Sequence, residues 1–297
     1  MREIESLLAW DADIGRLADL RDRLRRRPEY PAAVRALAAN LLRDADGDAS
    51  LSGLLRDAGR TVAGLSAAYL SASGGVTLPR LKTFIAGFGL VSPGRARALL
   101  NYMRYLDYLE PDPAGSGERP ARYRLTPHFL ASYARHEASL LEAVRVVEPA
   151  AGIVLRNLGD SAVLNALVIA QGEAFVAGSN QASPLAAWYR VFMHRLAGIQ
   201  IIHGLVAEAE DFPPRGPIAF SMTATARRFD VSRVHVARIM KEAAASGFLH
   251  LEAGSLQFTE AGCEALDWLY ASRICVHLAC TARALKAIPR LWAETAA

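Results

Sequence analysis

The sequence is poor in cysteine, in aromatic residues and in long apolar runs. Aromatic residues make up 8% of the chain, while Ala, Leu and Arg recur throughout. Because Ala, Leu and Arg lose little conformational entropy in helices, this composition favours a mainly helical fold. The longest weakly charged run, residues 160–189, contains Glu173 and polar loop residues, so we expect no membrane span.

The three cysteines, Cys263, Cys275 and Cys280, are odd in number and are not spaced as metal ligands. On a helix, Cys275 and Cys280 would point to different sides, which favours buried thiols; a thiol redox switch is the alternative. The N-terminal segment is acidic and frequently charged, unlike a signal peptide. These features predict a cytoplasmic protein.

Sequence motifs of catalysis are also missing. There is no nucleophile elbow, no phosphate-binding glycine loop and no recognisable carboxylate pair, so we expect no enzyme activity and no cofactor. The segment Asp44–Asp48 has Ala49 and Leu55 where a calcium loop needs Gly and Glu, so a helix–helix turn is favoured. His136-Glu137 lacks the second histidine of a zinc-protease motif, and no metal is expected.

What the chain does contain is enough apolar sequence for two domains. At 297 residues, with 52% hydrophobic and 22% charged residues, it has the balance of a packed globular protein. The net charge of +4 is modest. With His counted as neutral, however, residues 215–241 hold six basic residues and one acidic residue. Residues 77–126 hold eight basic and four acidic residues. Such clusters are typical of nucleic-acid-binding surfaces.

The chain contains an internal repeat. Residues 78–110 align with 218–250 at a constant shift of 140, and residues 123–126 align with 256–259 at a shift of 133. In each copy we predict a short helix, a second helix capped by Ser92 or Ser232, two strands, and a further helix capped by Thr126 or Thr259. The second helices should end near Asp107 and Gly247.

The second copy resembles the winged helix-turn-helix domains of MarR-type transcription regulators. The resemblance depends on Ser232-Arg233, the apolar positions 236, 239 and 240, the segment 246–249, and Phe258-Thr259 after the hairpin, or wing. The first copy departs from that pattern at Pro93-Gly94 and Asp107. The resemblance implies a sequence-specific regulator that binds double-stranded DNA; a protein-interaction scaffold without base readout is the alternative.

We predict a mainly α fold with small β-hairpin wings, in which two winged helix-turn-helix domains are linked by long helices. The domains are residues 1–148, with the winged core at 77–126, and residues 149–297, with the core at 217–260. A helix of about six turns should start at Ser183-Pro184 and continue to Val206. Since MarR-type proteins are usually dimers, the chain is expected to be a pseudo-two-fold monomer or a homodimer.

Candidate DNA-binding residues follow from the helix that would enter the major groove. In the second copy they are Ser232, Arg233, His235, Arg238 and Lys241, supported by Thr223, Thr225, Arg227 and Arg228 on the preceding helix. In the first copy they are Arg80, Lys82, Arg95, Arg97 and Asn101, with Arg119, Arg122 and Arg124 in the wing. Surface arginines that only interact with solvent are the alternative for both sets.

Two further groups have two interpretations each. Trp188, Tyr189, Phe192, His194 and Arg195 form an aromatic and basic group that is a candidate pocket for a small aromatic effector, or alternatively part of the core. The run Arg21–Arg27 is either a nucleic-acid-binding arm or the solvated C-terminal end of the first helix.

Overall fold

The computed structural model describes residues 2–11, 17–87, 92–115, 117, 119–179 and 185–293. The first half contains α1 (Arg2–Leu8), α2 (Leu17–Arg25), α3 (Tyr30–Gly47), α4 (Ala49–Leu54), α5 (Ala58–Ala72), β1 (Val76–Thr77), α6 (Leu78–Ala86), α7 (Pro93–Tyr105), β2 (Leu109–Pro111), β3 (Arg122–Leu125) and α8 (Pro127–Val147). The second half contains α9 (Ala151–Arg156), α10 (Ser161–Ser179), α11 (Ala186–Trp188), α12 (Gly198–Glu208), β4 (Ile218–Ala219), α13 (Met222–Arg228), α14 (Arg233–Ala245), β5 (Leu249–Glu252), β6 (Ser255–Phe258), α15 (Glu260–Ala287) and α16 (Arg290–Ala293). The protein is therefore mainly helical with small antiparallel sheets, as predicted.

Both halves contain the same succession of a strand, two helices and two strands. We call β1-α6-α7-β2-β3 the first unit and β4-α13-α14-β5-β6 the second unit. Each unit has a three-stranded antiparallel sheet in which the last strand lies in the middle, in the orders β1-β3-β2 and β4-β6-β5. The repeat found in the sequence thus corresponds to two units of equal topology.

Side-chain caps explain where four of the helices begin. The Ser92 and Ser232 hydroxyls accept hydrogen bonds from the backbone N–H groups of Arg95 and His235, at 3.3 and 3.1 Å. The Thr126 and Thr259 hydroxyls do the same for the helices after the sheets, at 3.2 and 3.0 Å. Each bond satisfies an amide that has no partner within its helix, so the four predicted caps are confirmed.

The helices around the two units interlock. In the first half, α3 packs against α8 of the same half and against α12 of the second half. The second half repeats this arrangement, since α10 packs against its own α15 and against α5 of the first half. One buried apolar cluster runs through both halves, from Leu7 in α1 to Leu285 in α15. The two units are therefore held by a common helical body.

The prediction of one continuous six-turn helix ending at Val206 is wrong. Its predicted start at Ser183-Pro184 lies outside the described residues. The described part contains α11, a π-helical turn at Tyr189–Met193, and then α12. The break lies at Ala197, whose φ of 58° is left-handed, and at Gly198, where a Cβ would come within 1.9 Å of the Phe192 carbonyl oxygen. The sequence pattern does not indicate this break, because apolar residues recur with helical spacing on both sides of it.

One helix in the described ranges is long and apolar enough to cross a membrane by length and composition. It is α10, with a mean hydropathy of 1.4 over the window Ser161–Gly178, of which 44% is buried inside the protein. Core helices of soluble proteins meet the same criterion, so this is weak evidence for a membrane span.

Candidate nucleic-acid interface

The helix α14 divides into a core side and an open side. Val236, Ile239, Met240 and Ala243 are fully buried and anchor the helix to its unit. The opposite side exposes Arg233, Val234, Arg238 and Lys241. This division is the one that the spacing of apolar residues predicts, because residues three or four apart share a helix face.

The basic residues on the open side of α14 are available for a ligand. Within the described ranges, neither Arg233 nor Lys241 has an ion-pair or hydrogen-bond partner, and the same holds for the exposed Arg227 at the end of α13. Arg238 donates to the Nδ1 atom of His235 at 3.0 Å, one turn away on the same helix. Asp230, between α13 and α14, is the acidic residue within the basic stretch 215–241, and the next residue of α14, Glu242, pairs with Arg195 at 2.7 Å.

Three of the predicted residues in the second unit are engaged by the protein itself. His235 is half-buried, and its Nε2 atom lies 2.9 Å from the Leu196 carbonyl oxygen. Arg228 contacts Glu208 at 3.4 Å and stacks on the Phe229 ring. Ser232 serves as the cap described above. Thr223 is exposed and Thr225 is half-buried, so the second could reach a ligand only in part.

In the first unit, two of the basic residues that the sequence predicts to contact DNA are bonded to other groups of the protein. Arg95 forms an ion pair with Asp57 at 2.9 Å, outside α7 and next to the start of α5. Arg80 donates to the carbonyl oxygens of Gly75 and Ser73, at 2.6 and 3.0 Å. Both arginines, which the sequence predicts to contact DNA, bind acceptors of the protein itself.

Ion pairs also neutralise the wing of the first unit. Arg122 contacts Asp112 at 2.9 Å, and Arg124 contacts its cross-strand neighbour Glu110 at 2.8 Å. Arg119 is exposed, and Lys82 on α6 is half-buried. The predicted cationic wing is therefore reduced, among the described residues, to Arg119.

On α7 itself, Arg97 and Asn101 are exposed as predicted. The structure adds three residues that the sequence did not single out as a site. Arg104 lies 5.2 Å above the Tyr123 ring, and Tyr105 is 84% exposed. In the second unit, Val234 is 78% exposed beside Arg233. Helical spacing could have indicated their exposure, because each of the three residues lies on the side of its helix away from the buried residues.

The candidate effector residues lie mostly in the core. Trp188 and Phe192 are fully buried, with ring centroids 4.5 Å apart, and Trp188 meets Phe248 of the second unit edge-on at 5.1 Å. Arg195 forms an ion pair with Glu242 at 2.7 Å. Tyr189 is half-buried and His194 is exposed. This arrangement favours the alternative of core packing over an aromatic pocket.

The N-terminal arginine run is engaged by the body of the protein. Arg25 and Arg27 contact Asp267 and Glu148, at 2.6 and 3.1 Å. Arg21 lies above the Trp268 ring at 4.7 Å. These contacts favour a packed end of α2 over a free nucleic-acid-binding arm.

The remaining sequence candidates also have protein partners. Asp48 caps α4 by accepting from the Leu51 N–H at 2.9 Å, and Asp44 accepts from the Ser139 hydroxyl at 2.6 Å, which fits a helix–helix turn. Cys275 and Cys280 are buried, and this burial raises the pKa of each thiol to about 12. Within the described ranges, no three His, Cys, Asp or Glu residues are grouped as metal ligands.

Comparisons of the chain with protein families, with curated proteins and with solved structures gave no significant match.

Proposed function

We propose that the protein is a DNA-binding transcription regulator whose second unit inserts α14 into the major groove. The order of strands and helices in both units, with the last strand central in each sheet, supports an assignment to winged helix-turn-helix domains. The resemblance of residues 232–259 to MarR-type regulators agrees with this proposal.

The observation that carries the proposal is the unpaired basic surface of α14. Guanidinium and ammonium groups without acidic partners are free to neutralise phosphates and release counterions. Arg233 lies in the first turn of the helix, where residues of a recognition helix contact base edges. A guanidinium there or at Arg238 could form two hydrogen bonds to guanine O6 and N7, and the exposed Val234 could contact a thymine methyl.

Other side chains of the second unit fit a role in positioning. Lys241 lies two turns after Arg233, where its ammonium group could reach a phosphate. Arg227 and Thr223 on α13 are exposed beside the same helix and could hold the DNA backbone. Phosphate contacts of this kind set the register of a protein on DNA, while base contacts provide specificity.

A protein-docking role is the second candidate, and it is favoured by the first unit. There the basic residues Arg80, Arg95, Arg122 and Arg124 have acceptors within the protein. At the same time Tyr105 is almost fully exposed at the end of α7. Tyrosine is enriched at protein interfaces because its ring provides contact area with a polar end.

A salt series separates the two functions. The full chain would be titrated against a fluorescent duplex selected from a randomised pool by repeated binding, with anisotropy as the readout. DNA binding by α14 predicts that log Kd rises linearly with log salt concentration, with a slope of about 0.9 for each phosphate contact. Failure to enrich any duplex at about 50 mM salt would contradict the proposal and favour protein docking.

Single substitutions then test the assigned roles. Arg238→Ala should weaken binding by about 1–3 kcal/mol and relax discrimination at one or two base pairs. Lys241→Ala should weaken binding to all sequences alike and lower the salt slope by about one contact. Arg26→Ala is the matched control, because Arg26 is exposed, without a partner among the described residues, and lies directly after α2. Equal effects of all three variants would contradict the assignment.

A further inference from the structure

The ring of His235 connects the helical body to the open side of α14. Its Nε2 atom lies 2.9 Å from the Leu196 carbonyl oxygen, and its Nδ1 atom lies 3.0 Å from the Nη2 atom of Arg238, one turn later on the helix. A carbonyl oxygen can only accept a hydrogen bond, and a guanidinium can only donate one. The two contacts together therefore require a neutral ring that carries its proton on Nε2 and accepts at Nδ1.

The Leu196 carbonyl belongs to a closely packed turn. The next residue, Ala197, has a left-handed φ of 58°, and its N–H donates to the Arg56 carbonyl oxygen at 2.9 Å. Gly198 follows, where a Cβ would come within 1.9 Å of the Phe192 carbonyl oxygen. The acceptor of the histidine bond is thus fixed by backbone contacts within the helical body.

Other contacts hold α14 to the body independently of His235. Arg195 forms an ion pair with Glu242 at 2.7 Å, two turns after His235 on the same helix. From the first half of the chain, Arg56 donates to two carbonyl oxygens in the turn between α13 and α14, at 2.7 and 2.9 Å. A change in the His235 ring should therefore alter the position of Arg238 without detaching the whole helix.

The contact with His235 leaves most of the Arg238 guanidinium free. One N–H donates to the ring, and the exposed side chain has no other partner in the described part of the chain. A guanidinium carries five N–H groups, and a guanine occupies two of them. Because a long side chain loses rotamer entropy when it binds, a bond that restricts it beforehand lowers the cost of binding. His235 thus orients Arg238 and leaves its other donors available.

A second proton on the His235 ring would break this contact. With both nitrogens protonated, Nδ1 could no longer accept a hydrogen bond, and a positive ring would face a positive guanidinium. Histidine is the side chain whose charge ordinarily changes between about pH 5 and pH 8. The contact therefore depends on the proton of a residue that titrates near neutral pH.

The neighbouring charged groups do not bond to the His235 ring. Arg195 pairs with Glu242, and Asp230 lies 3.9 Å from Arg56. The elements packed against α14 and the residue after the π-helical turn carry further titratable groups, namely Arg190, His194, Arg227, Arg228, His250 and Glu252. Among the described residues, Arg238 is the one side chain outside the helix cap that bonds to His235.

We propose that His235 is a positioning residue that directs Arg238 towards DNA, and that protonation of His235 releases this arginine. The role rests on the proposed DNA binding by α14. With a neutral ring, the protein should discriminate strongly at the base pair that Arg238 contacts. With a charged ring, this discrimination should be lost, while the affinity for any duplex stays the same or rises, because a positive charge has been added near the phosphates.

The first test measures discrimination at two pH values. The full chain would be titrated by anisotropy against the selected duplex, against that duplex changed at the base pair where Arg238→Ala relaxes discrimination, and against a random duplex. The ratio of the first two Kd values should be about 10-fold or more at about pH 8 and about 3-fold or less at about pH 5.5, at equal ionic strength. The Kd for the random duplex should not rise at the lower pH. An equal ratio at both pH values, or a general loss of affinity at the lower pH, overturns the proposal.

Substitutions of His235 provide the second test. His235→Gln retains one donor and one acceptor but cannot take up a proton, so its discrimination should not change with pH. His235→Leu has neither group and should discriminate about 3-fold or less at both pH values. The matched control His250→Gln, at an exposed histidine on β5, should keep the pH dependence of the unsubstituted protein. Equal pH dependence in His235→Gln and His250→Gln, or full discrimination in His235→Leu, overturns the proposal.

Nuclear magnetic resonance provides a test that needs no DNA. In a two-bond ¹H–¹⁵N correlation of the free protein, the His235 ring, assigned as the signal missing from His235→Gln, should be the neutral Nε2–H tautomer at about pH 8. An Nδ1–H tautomer or a charged ring at that pH overturns the role of His235, even if DNA binding by α14 is established. If instead no duplex is enriched, or Arg238→Ala leaves discrimination unchanged, the proposed function fails and the role of His235 fails with it.

Discussion

The two units have the same topology but differ in whether their basic side chains form ion pairs with carboxylates. In the first unit, Arg95, Arg122 and Arg124 each contact a carboxylate at 2.8–2.9 Å. In the second unit, Arg233 and Lys241 have no such partner in the described part of the chain. Equal folds in one chain therefore do not imply equal surfaces, and a repeat in the sequence alone overstates how similar the two surfaces are.

One pair of equivalent positions shows why part of the difference is structural. Arg95 and His235, related by the shift of 140, both contact the start of the helix that precedes their unit. Arg95 contacts the side chain of Asp57, which caps α5, and His235 contacts the Leu196 carbonyl next to the start of α12. We infer that both residues tie α7 or α14 to the helical body.

The largest predicted effect compares the open sides of α7 and α14. Simultaneous substitution of Arg233, Arg238 and Lys241 by Ala should weaken DNA binding about 100-fold or more at low salt, because several charged contacts are lost together. The matched triple variant at Arg97, Asn101 and Arg104 should lose only a few-fold. Anisotropy titrations measure both. Equal losses would show that the two units bind DNA symmetrically, despite the ion pairs.

Each unit packs against the helix that follows its sheet, and in the second unit this packing requires a glycine. Gly262 in α15 corresponds to the buried Phe129 in α8, and a Cβ at Gly262 would come within 2.0 Å of the Phe248 carbonyl oxygen. Gly262→Ala should therefore lower the free energy of unfolding by about 1–3 kcal/mol in urea denaturation.

Gly178→Ala in α10 is the control for this substitution, since nothing lies within 4 Å of a Cβ there. Alanine should stabilise that helix by up to about 1 kcal/mol. A loss of stability at Gly178 as large as that at Gly262 would mean that the close approach to Phe248 is not the cause.

Much of the fold could be predicted from the sequence because it depends on local rules. The caps Ser92, Ser232, Thr126 and Thr259 belong to a small set of residue types that bind free amides at helix starts. The buried side of α14 follows from helical spacing alone. The cross-strand pair Glu110–Arg124 could also have been predicted, since the hairpin register places these two residues opposite each other.

The rest depends on contacts between distant parts of the chain. Asp57 and Arg95 are 38 residues apart, and only the packing of α5 beside α7 brings them together. The break at Ala197 and Gly198 likewise follows from a close approach to the Phe192 backbone, which apolar spacing does not encode.

A smaller effect should follow from releasing Arg95. Asp57→Asn keeps an oxygen that can cap α5 but removes the ion pairs with Arg95 and Arg60. The free energy of unfolding should fall by about 1 kcal/mol or less, because Arg95 is 46% and Arg60 31% exposed. The freed guanidinium should raise DNA affinity two- to three-fold if α7 also approaches DNA. Asp22→Asn, which removes the same charge on α2, is the control. An equal rise in both variants would mean a general charge effect.

The smallest effect is expected at Tyr108, which aligns with Phe248 in the second unit. The Tyr108 hydroxyl is buried near the Ser50 and Ser132 side chains but has no partner with hydrogen-bond geometry among the described residues, whereas the Tyr133 hydroxyl donates to Gln171 at 2.6 Å. Tyr108→Phe should therefore change the free energy of unfolding by less than about 0.5 kcal/mol, while Tyr133→Phe should lower it by about 1–2 kcal/mol. Urea denaturation of both variants gives the comparison. A loss above about 1 kcal/mol at Tyr108 would show that its hydroxyl is bonded after all, and that the two units differ in their cores as well as at their surfaces.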